Sequence, residues 1–335
     1  MIKKILSQIK PYLRWVIFGL TLFFLVKALK ENATEVLKIR IDNQGWLILV
    51  GALVVTLMAH IWAGWVWGWI LKAFNQPINL VWAIQIYLKT NIAKYLPGNF
   101  WHFYGRIWAV SERGATPGVA TLSVLLEPIL TAADALLICL ISSQLIGGNF
   151  FPILEVLPLE IRLIICGLSL VMLLILIQPR FLNILIKYAG GLKGKSKSDR
   201  LTENNYPADI SNNISYKVDR YLLMPLLGEF GFLALRGAGF LLTLVAIKSV
   251  NLSEIPLVFS AFCFAWLLGL IVPGAPGGIG VFEATAIALL DGHFPPAILL
   301  ASVAFYRSIG ILAEAIAALG AVIIFGKTSP SHNSK

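Results

Sequence analysis

Residues 271–284 read IVPGAPGGIGVFEA: two prolines, four glycines and a carboxylate, directly after the apolar run VFSAFCFAWLLGL at 258–270 and before more apolar sequence. A membrane helix would still be crossing there, and proline with glycine ends helices. Backbone that leaves the helix at membrane depth strands N–H and C=O groups, at about several kcal/mol each, unless it is buried in protein or lines a wet cavity. The break therefore marks a polar site inside an apolar chain. Glycine lets a ligand approach the backbone closely, and a helix restarting after the break aims its N–H groups at any anion lying there. The plainer alternative is a surface turn joining two spans. A dinucleotide fingerprint is excluded, because GGIGVF lacks the third glycine and no strand precedes it.

Composition sets the frame for that reading. The chain has 335 residues, 58% hydrophobic and 13% charged, with a mean hydropathy of +0.81. Soluble globular domains do not reach such values. Several apolar runs approach or exceed the roughly 20 residues that carry a helix across a bilayer, and nothing alternates as a barrel strand does. The expected fold class is an all-α polytopic membrane protein. The formal charge of +10 lies in segments flanking apolar runs, which fits cytoplasmic anchoring better than nucleic acid. Cys139, Cys166 and Cys263 stand singly in apolar runs, and the four histidines, His60, His102, His293 and His332, are scattered. No metal site and no cofactor are expected from them.

Complete spans are predicted near 14–30, 46–72, 117–144, 161–178, 221–247 and 295–325. Two more segments, 78–108 and 256–292, break at proline–glycine turns, KYLPGNFWHFYGR (94–106) and the opening stretch. Loop charge decides whether they cross. Residues 1–14 carry Lys3, Lys4, Lys10 and Arg14, residues 179–220 carry eight Lys or Arg, and 145–160 carry none. If both broken segments dip in and return, both termini and the 179–220 loop face the cytoplasm and 145–160 faces out, as the positive-inside rule requires. The loop after the first span runs against the rule, with Lys27, Lys30, Lys38 and Arg40.

The order span, span, re-entrant, span then occurs twice with its direction reversed, giving about six full spans and two re-entrant broken helices in an inverted repeat. At an offset near 180, Glu127 falls on Arg307 and Asp134 on Glu314. Such repeats, with broken helices meeting near the midplane, build secondary transporters. The expected divisions are a first membrane half with its flanking spans at 1–178, a flexible cytoplasmic linker at 179–220, a second half at 221–326 and a tail at 327–335.

Ionisable residues inside apolar segments mark the candidate site. Glu127 with Asp134, Glu229 with Arg236, and Arg307 with Glu314 are spaced i, i+7, which puts each pair on one helix face; Arg106 and Glu283 bring the set to eight. Roughly 2.5–3.5 kcal/mol apiece forbids leaving them in lipid. They are read either as interhelical ion pairs or as the lining of a polar cavity, with Arg106, Arg236, Arg307 and Glu283 converging and the turns Pro97, Gly98, Pro273, Gly274, Pro276, Gly277, Gly278 and Gly280 admitting water. Arginine suits a phosphate because its guanidinium offers a planar fork of donors. Trp62, Trp65 and Trp69 share a face with a GxxxG at Gly64 and Gly68, read as an aromatic belt and a packing seam. No GxSxG, HExxH, P-loop or aspartate-rich metal motif occurs, so no enzyme is expected.

On KYLPGNFWHFYGR and PGGIGVFE the sequence resembles the membrane domain of the lysylphosphatidylglycerol synthase/flippase family. That family typically carries K-Y-x-P-G running to Gly-Arg, then P-G-G-x-G-x-x-E. The matching residues are Lys94, Tyr95, Pro97, Gly98, Gly105 and Arg106, then Pro276, Gly277, Gly278, Gly280 and Glu283, and the likeness covers about 10–325. It implies a membrane domain that moves a phospholipid between leaflets. Bifunctional members continue into an aminoacyltransferase domain, whereas this sequence stops at Lys335 and is similar to the stand-alone form.

The expected function is thus a lipid flippase of the cytoplasmic membrane acting on a phosphate-bearing lipid, of phospholipid or polyprenyl-phosphate type. Its alternatives are a membrane-embedded transferase using a lipid-phosphate donor and a non-transporting partner of a glycosyltransferase or other lipid-modifying enzyme. The topology is directly testable. In a cysteine-free background, single cysteines at Ser111 and Asn149 are expected to react with impermeant maleimide from opposite sides of the membrane. Labelling from one side removes the inverted repeat.

Overall fold

A computed structural model describes residues 23, 25–96, 100–145, 158–176, 178–181, 183–184, 222–272 and 276–326. Among these the regular structure is helical, with one isolated bridge between Asp291 and Phe294. Most of the predicted first span, most of 145–160 and of the 179–220 linker, the 327–335 tail and the turn residues Pro97, Gly98, Pro273 and Gly274 lie outside the described residues.

After α1 (25–36), Asp42 opens α2 (Asn43–Ala73) by accepting the Gly45 N–H at 2.7 Å, and Asn79 caps α3 (Leu80–Asn91) through the Val81 N–H at 2.8 Å. Such caps satisfy donors that the first helical turn leaves unpaired. α3 runs into a 3₁₀ turn, Ile92–Tyr95, and the chain resumes as α4 (Trp101–Glu112). Next come α5 (Pro117–Leu145) and α6 (Leu159–Leu176). The second half holds α7 (Leu223–Val245), α8 (Ile255–Ile271), the 3₁₀ turn Pro276–Gly278, α9 (Val281–Leu290) and α10 (Pro296–Gly326).

α2, α5, α7, residues Leu252–Ile271 and α10 are each long and apolar enough to cross a membrane. The protein is an all-α polytopic membrane protein. One limb departs from expectation: α8 with its leading turn has the length of a full span, about 30 Å at 1.5 Å per residue, whereas its return limb α9 is half that. The sequence pattern treats 256–292 as one dipping element, but apolar residues reach back to the break from Leu252, so the two limbs are unequal.

The packing has the form of a two-fold pair. α2 packs on α3 as α7 packs on α8; α3 packs on α4 as α8 on α9; α4 packs on α5 as α9 on α10; α3 touches α10 as α8 touches α5. α2 and α7 pack on each other, and the two 3₁₀ turns meet. Gly45 lies against the Ala246 carbonyl, Gly239 against Thr56, and Gly228 against Val66, so α2 and α7 run antiparallel. These two corresponding helices therefore point in opposite directions.

Small residues let this contact close. Trp62 donates its Nε1–H to the Gly228 carbonyl at 2.8 Å, and its ring covers Gly231. The GxxxG of α2 is a seam with α3: a Cβ on Gly64 would stand 2.9 Å from the Ile84 Cα, and one on Gly68 would stand 2.6 Å from a Leu80 methyl. Gly64→Ala is expected to lower stability by about 1–3 kcal/mol through overpacking against backbone. Gly51→Ala, on the same helix with open space at its Cβ, should be neutral or stabilising by up to about 1 kcal/mol. Heat denaturation in detergent followed by size-exclusion chromatography compares the two.

Candidate functional site

The two breaks face each other. Beyond the second, Gly278 and Gly280 have φ of +72° and +90°, in the left-handed region that side chains disfavour. A Cβ on Gly278 would also stand 3.2 Å from the Gly269 backbone. Glu283, in the first turn of α9, closes the break: its Oε2 accepts the Gly280 N–H at 2.5 Å, and its Oε1 accepts Arg307 Nε of α10 at 2.5 Å. Arg307 Nη1 also donates to the Gly277 carbonyl at 3.2 Å. One ion pair thus satisfies a stranded N–H and a stranded C=O and lashes the turn to α10.

The first half also holds an ion pair between its returning limb and the following helix, with the charges exchanged. Arg106 on α4 pairs with Glu127 on α5, whose other oxygen accepts the Tyr87 hydroxyl at 2.7 Å. Arg106 stands in the place of Glu283, and Glu127 in the place of Arg307. A third pair joins the halves: Lys94, on the first 3₁₀ turn, donates to Glu314 of α10 at 2.5 Å, and His60 Nε2 lies 3.4 Å from the same oxygen.

These groups surround a cavity of about 440 Å³ between the halves. Arg106, Arg236 and Arg307 all line it, with Lys94, His60 and Glu127. Glu283 and Glu314 stand behind the cations they hold, and Glu229 stands behind Thr131, a lining residue whose hydroxyl lies 2.7 Å from its Oε2. Asp134 is buried but is not part of the wall. The members of each i, i+7 set do not touch one another, and Glu127, Arg307 and Glu314 each take a partner from another element. Two helical turns separate residues spaced by seven, too far for direct contact.

Arg236 differs from the other cations. It is 4% exposed, and among the described residues no carboxylate oxygen lies within 4 Å of it. Its Nε has no hydrogen-bond partner, and its Nη1 lies 3.5 Å from His60 Nε2. The Trp266 and Tyr306 rings hold the guanidinium at 5.0 and 4.9 Å. Ring quadrupoles stabilise a cation without neutralising it. Lys94, Arg106 and Arg307 are matched by Glu314, Glu127 and Glu283, so Arg236 is left as an unmatched charge on the wall.

Sequence reasoning groups the three arginines but misses Lys94, His60, Tyr87, Trp266 and Tyr306 as site residues. Lys94 was legible as a cation just before the Pro97–Gly98 break, and His60 as a titratable residue in the middle of a long apolar helix. The aromatic residues carry no such mark. The wall also includes Leu125, Ile129, Leu270 and Ile271, which are exposed on the outer surface, so the cavity opens sideways between α5 and the end of α8.

The ion pairs make a stability prediction. Glu127→Leu strands the Arg106 guanidinium in the interior and should cost about 3–5 kcal/mol, whereas Glu127→Leu with Arg106→Met should recover most of that loss. Thermal unfolding in detergent reads both. Equal destabilisation by the single and double changes would mean that the pair is not the source of the cost.

Comparison with known proteins agrees with this architecture. No curated protein matches the chain. A family model, that of the lysylphosphatidylglycerol synthase TM region, matches residues 12–318 and so spans both broken elements and every residue of the cavity wall. With two facing breaks, charge-exchanged ion pairs and a cavity open to the side, the chain belongs to the lysylphosphatidylglycerol synthase TM region family, membrane domains related to lipid modification or flipping.

Proposed function

We propose that the protein moves a phosphate-bearing lipid between the leaflets of the cytoplasmic membrane, with the phosphate seated on Arg236. The observation that carries this reading is the buried guanidinium of Arg236 on the wall of a cavity, with no carboxylate among the described residues within 4 Å. A buried cation is costly unless paired, and an anion from outside the chain completes the pairing. The single surplus charge favours a singly charged phosphodiester. The guanidinium fork supplies two parallel donors to phosphate oxygens, and Trp266 and Tyr306 fix its orientation before the ligand arrives.

The rest of the wall supports a lipid over a free anion. The lateral opening beside Leu125, Ile129, Leu270 and Ile271 lets acyl chains stay in the bilayer while the headgroup enters. On this reading no covalent bond is made or broken, and a glycosyltransferase or lipid-modifying enzyme would act on the lipid that the protein delivers.

The test reconstitutes purified protein in liposomes and follows leaflet exchange of acyl-labelled phosphatidylglycerol. Wild type should exceed empty vesicles. Arg236→Lys keeps the charge but loses the fork and should retain reduced exchange, while Arg236→Met should lose nearly all of it. Because Arg236 has no counter-ion to strand, Arg236→Met should fold as well as wild type or better, unlike the changes that break a pair. Normal exchange per folded Arg236→Met molecule would sink the reading.

A further inference from the structure

Glu229 lies on α7, seven residues before Arg236 on the same helix, and is 1% exposed. Among the described residues it has no cation within 4 Å, and its Oε1 has no hydrogen-bond partner. Its Oε2 lies 2.7 Å from Thr131 Oγ1, and the same Oγ1 lies 2.9 Å from the Glu127 backbone carbonyl. A threonine hydroxyl has one hydrogen. Both contacts are full two-centre hydrogen bonds at once only if Thr131 donates to the carbonyl and Glu229 donates to Thr131, which requires a proton on Glu229. A neutral carboxyl group also removes the burden of an anionic oxygen buried without a partner.

The charged and titratable groups near Glu229 come from several elements. α5 presents Glu127 and Asp134, α4 presents Arg106, already bound to Glu127, and α3 presents Tyr87, whose hydroxyl donates to Glu127. α8, packed on α5, contributes the buried thiol of Cys263. On α2, Trp62, Val66 and Trp69, which do not ionise, lie against Gly228 and Gly231 of α7. From α10, Tyr306 and Arg307 line the cavity on the Arg236 side, and Glu314 is held by Lys94 and His60. Ionised, Glu229 would supply the negative charge that Arg236 lacks, about two helical turns away, and so compete with an entering anion.

We propose that Glu229 is a proton-carrying site, and that the protein moves one proton together with each singly charged phosphodiester. The proton leaves the Glu229 carboxyl through Thr131, a lining residue: its hydroxyl turns from the Glu127 carbonyl toward the cavity, passes its own hydrogen to water there and accepts the Glu229 proton in its place; loading reverses the path. Anion and proton cross together and the net charge moved is zero. This coupling rests on the phosphate reading of Arg236, whereas the proton on Glu229 is tested without it.

Infrared difference spectra of purified protein at neutral pH should contain a protonated-carboxyl C=O stretch that is absent in Glu229→Gln and retained in Asp134→Asn. A band that survives in Glu229→Gln, or is lost with Asp134→Asn instead, overturns the site whether or not the protein transports lipid. In liposomes under a potassium-diffusion potential, the leaflet distribution of acyl-labelled phosphatidylglycerol should ignore the potential with wild type. With Glu229→Gln, which keeps the neutral hydrogen bond but carries no proton, it should shift by about fifty-fold per 100 mV, the factor for one uncompensated charge. A wild-type distribution that follows the potential overturns the coupling. Wild type that exchanges no faster than empty vesicles removes the transport reading and the coupling with it, while the spectra still decide whether Glu229 holds a proton.

Discussion

The Glu283–Arg307 pair is the constraint on which the second half depends. A polypeptide that leaves the helix inside a bilayer has to satisfy the backbone groups it frees. Glu283 takes the Gly280 N–H, Arg307 takes the Gly277 carbonyl, and each neutralises the other. Without that closure the two limbs of the broken element have no reason to stop where they do, and the cavity between the breaks loses a wall. The corresponding pair, Arg106 with Glu127, does not reach the backbone of its break in the same way; it is instead enclosed by the rings of Tyr87, Phe103 and Trp67. The halves meet the same electrostatic demand by different local means.

The α2–α7 contact sets how close the halves come. Gly45, Gly228 and Gly239 let two long helices approach until a side chain on one would strike the other, and Trp62 adds a hydrogen bond across the seam. The breaks are brought together as a result, tip against tip, with Gly277 facing Lys94 and Tyr95. Lys94 can then reach Glu314 in the opposite half, so the cation on the first break is held by the last helix of the second half.

Much of this was legible in the sequence, and the reasons are physical. Helices had to be long and apolar to cross, so α2, α5, α7 and α10 announce themselves by length. Breaks had to carry proline and glycine, and ionisable residues at membrane depth had to face inward, which is enough to put Arg106, Arg236 and Arg307 around one cavity. What stayed hidden depends on which helix is adjacent to which. The spacing of Glu127 with Asp134 or Arg307 with Glu314 describes one helix, but a charge pairs with whatever lies within about 4 Å, and that neighbour comes from another element. The length of α8 was hidden because its apolar run ends at a break, which reads as a short limb from either side. The unmatched state of Arg236 is a difference between all cations and all carboxylates of the wall, and becomes visible only once every partner is placed.

The exchange of polarity between the two ion pairs has a consequence for how such a chain changes over generations. A carboxylate on the returning limb with an arginine on the following helix serves one half, and the reverse serves the other. In the first half selection acts on the sum of two positions, whereas in the second Glu283 and Arg307 also serve the backbone of the break and are held by identity. A single substitution in either pair is penalised, but a compensated reversal is tolerable only where no backbone group depends on the charge, so Arg106 and Glu127 are freer to exchange than Glu283 and Arg307. Arg236 has no such partner to share the constraint with, and its position should vary only when the molecule it awaits does.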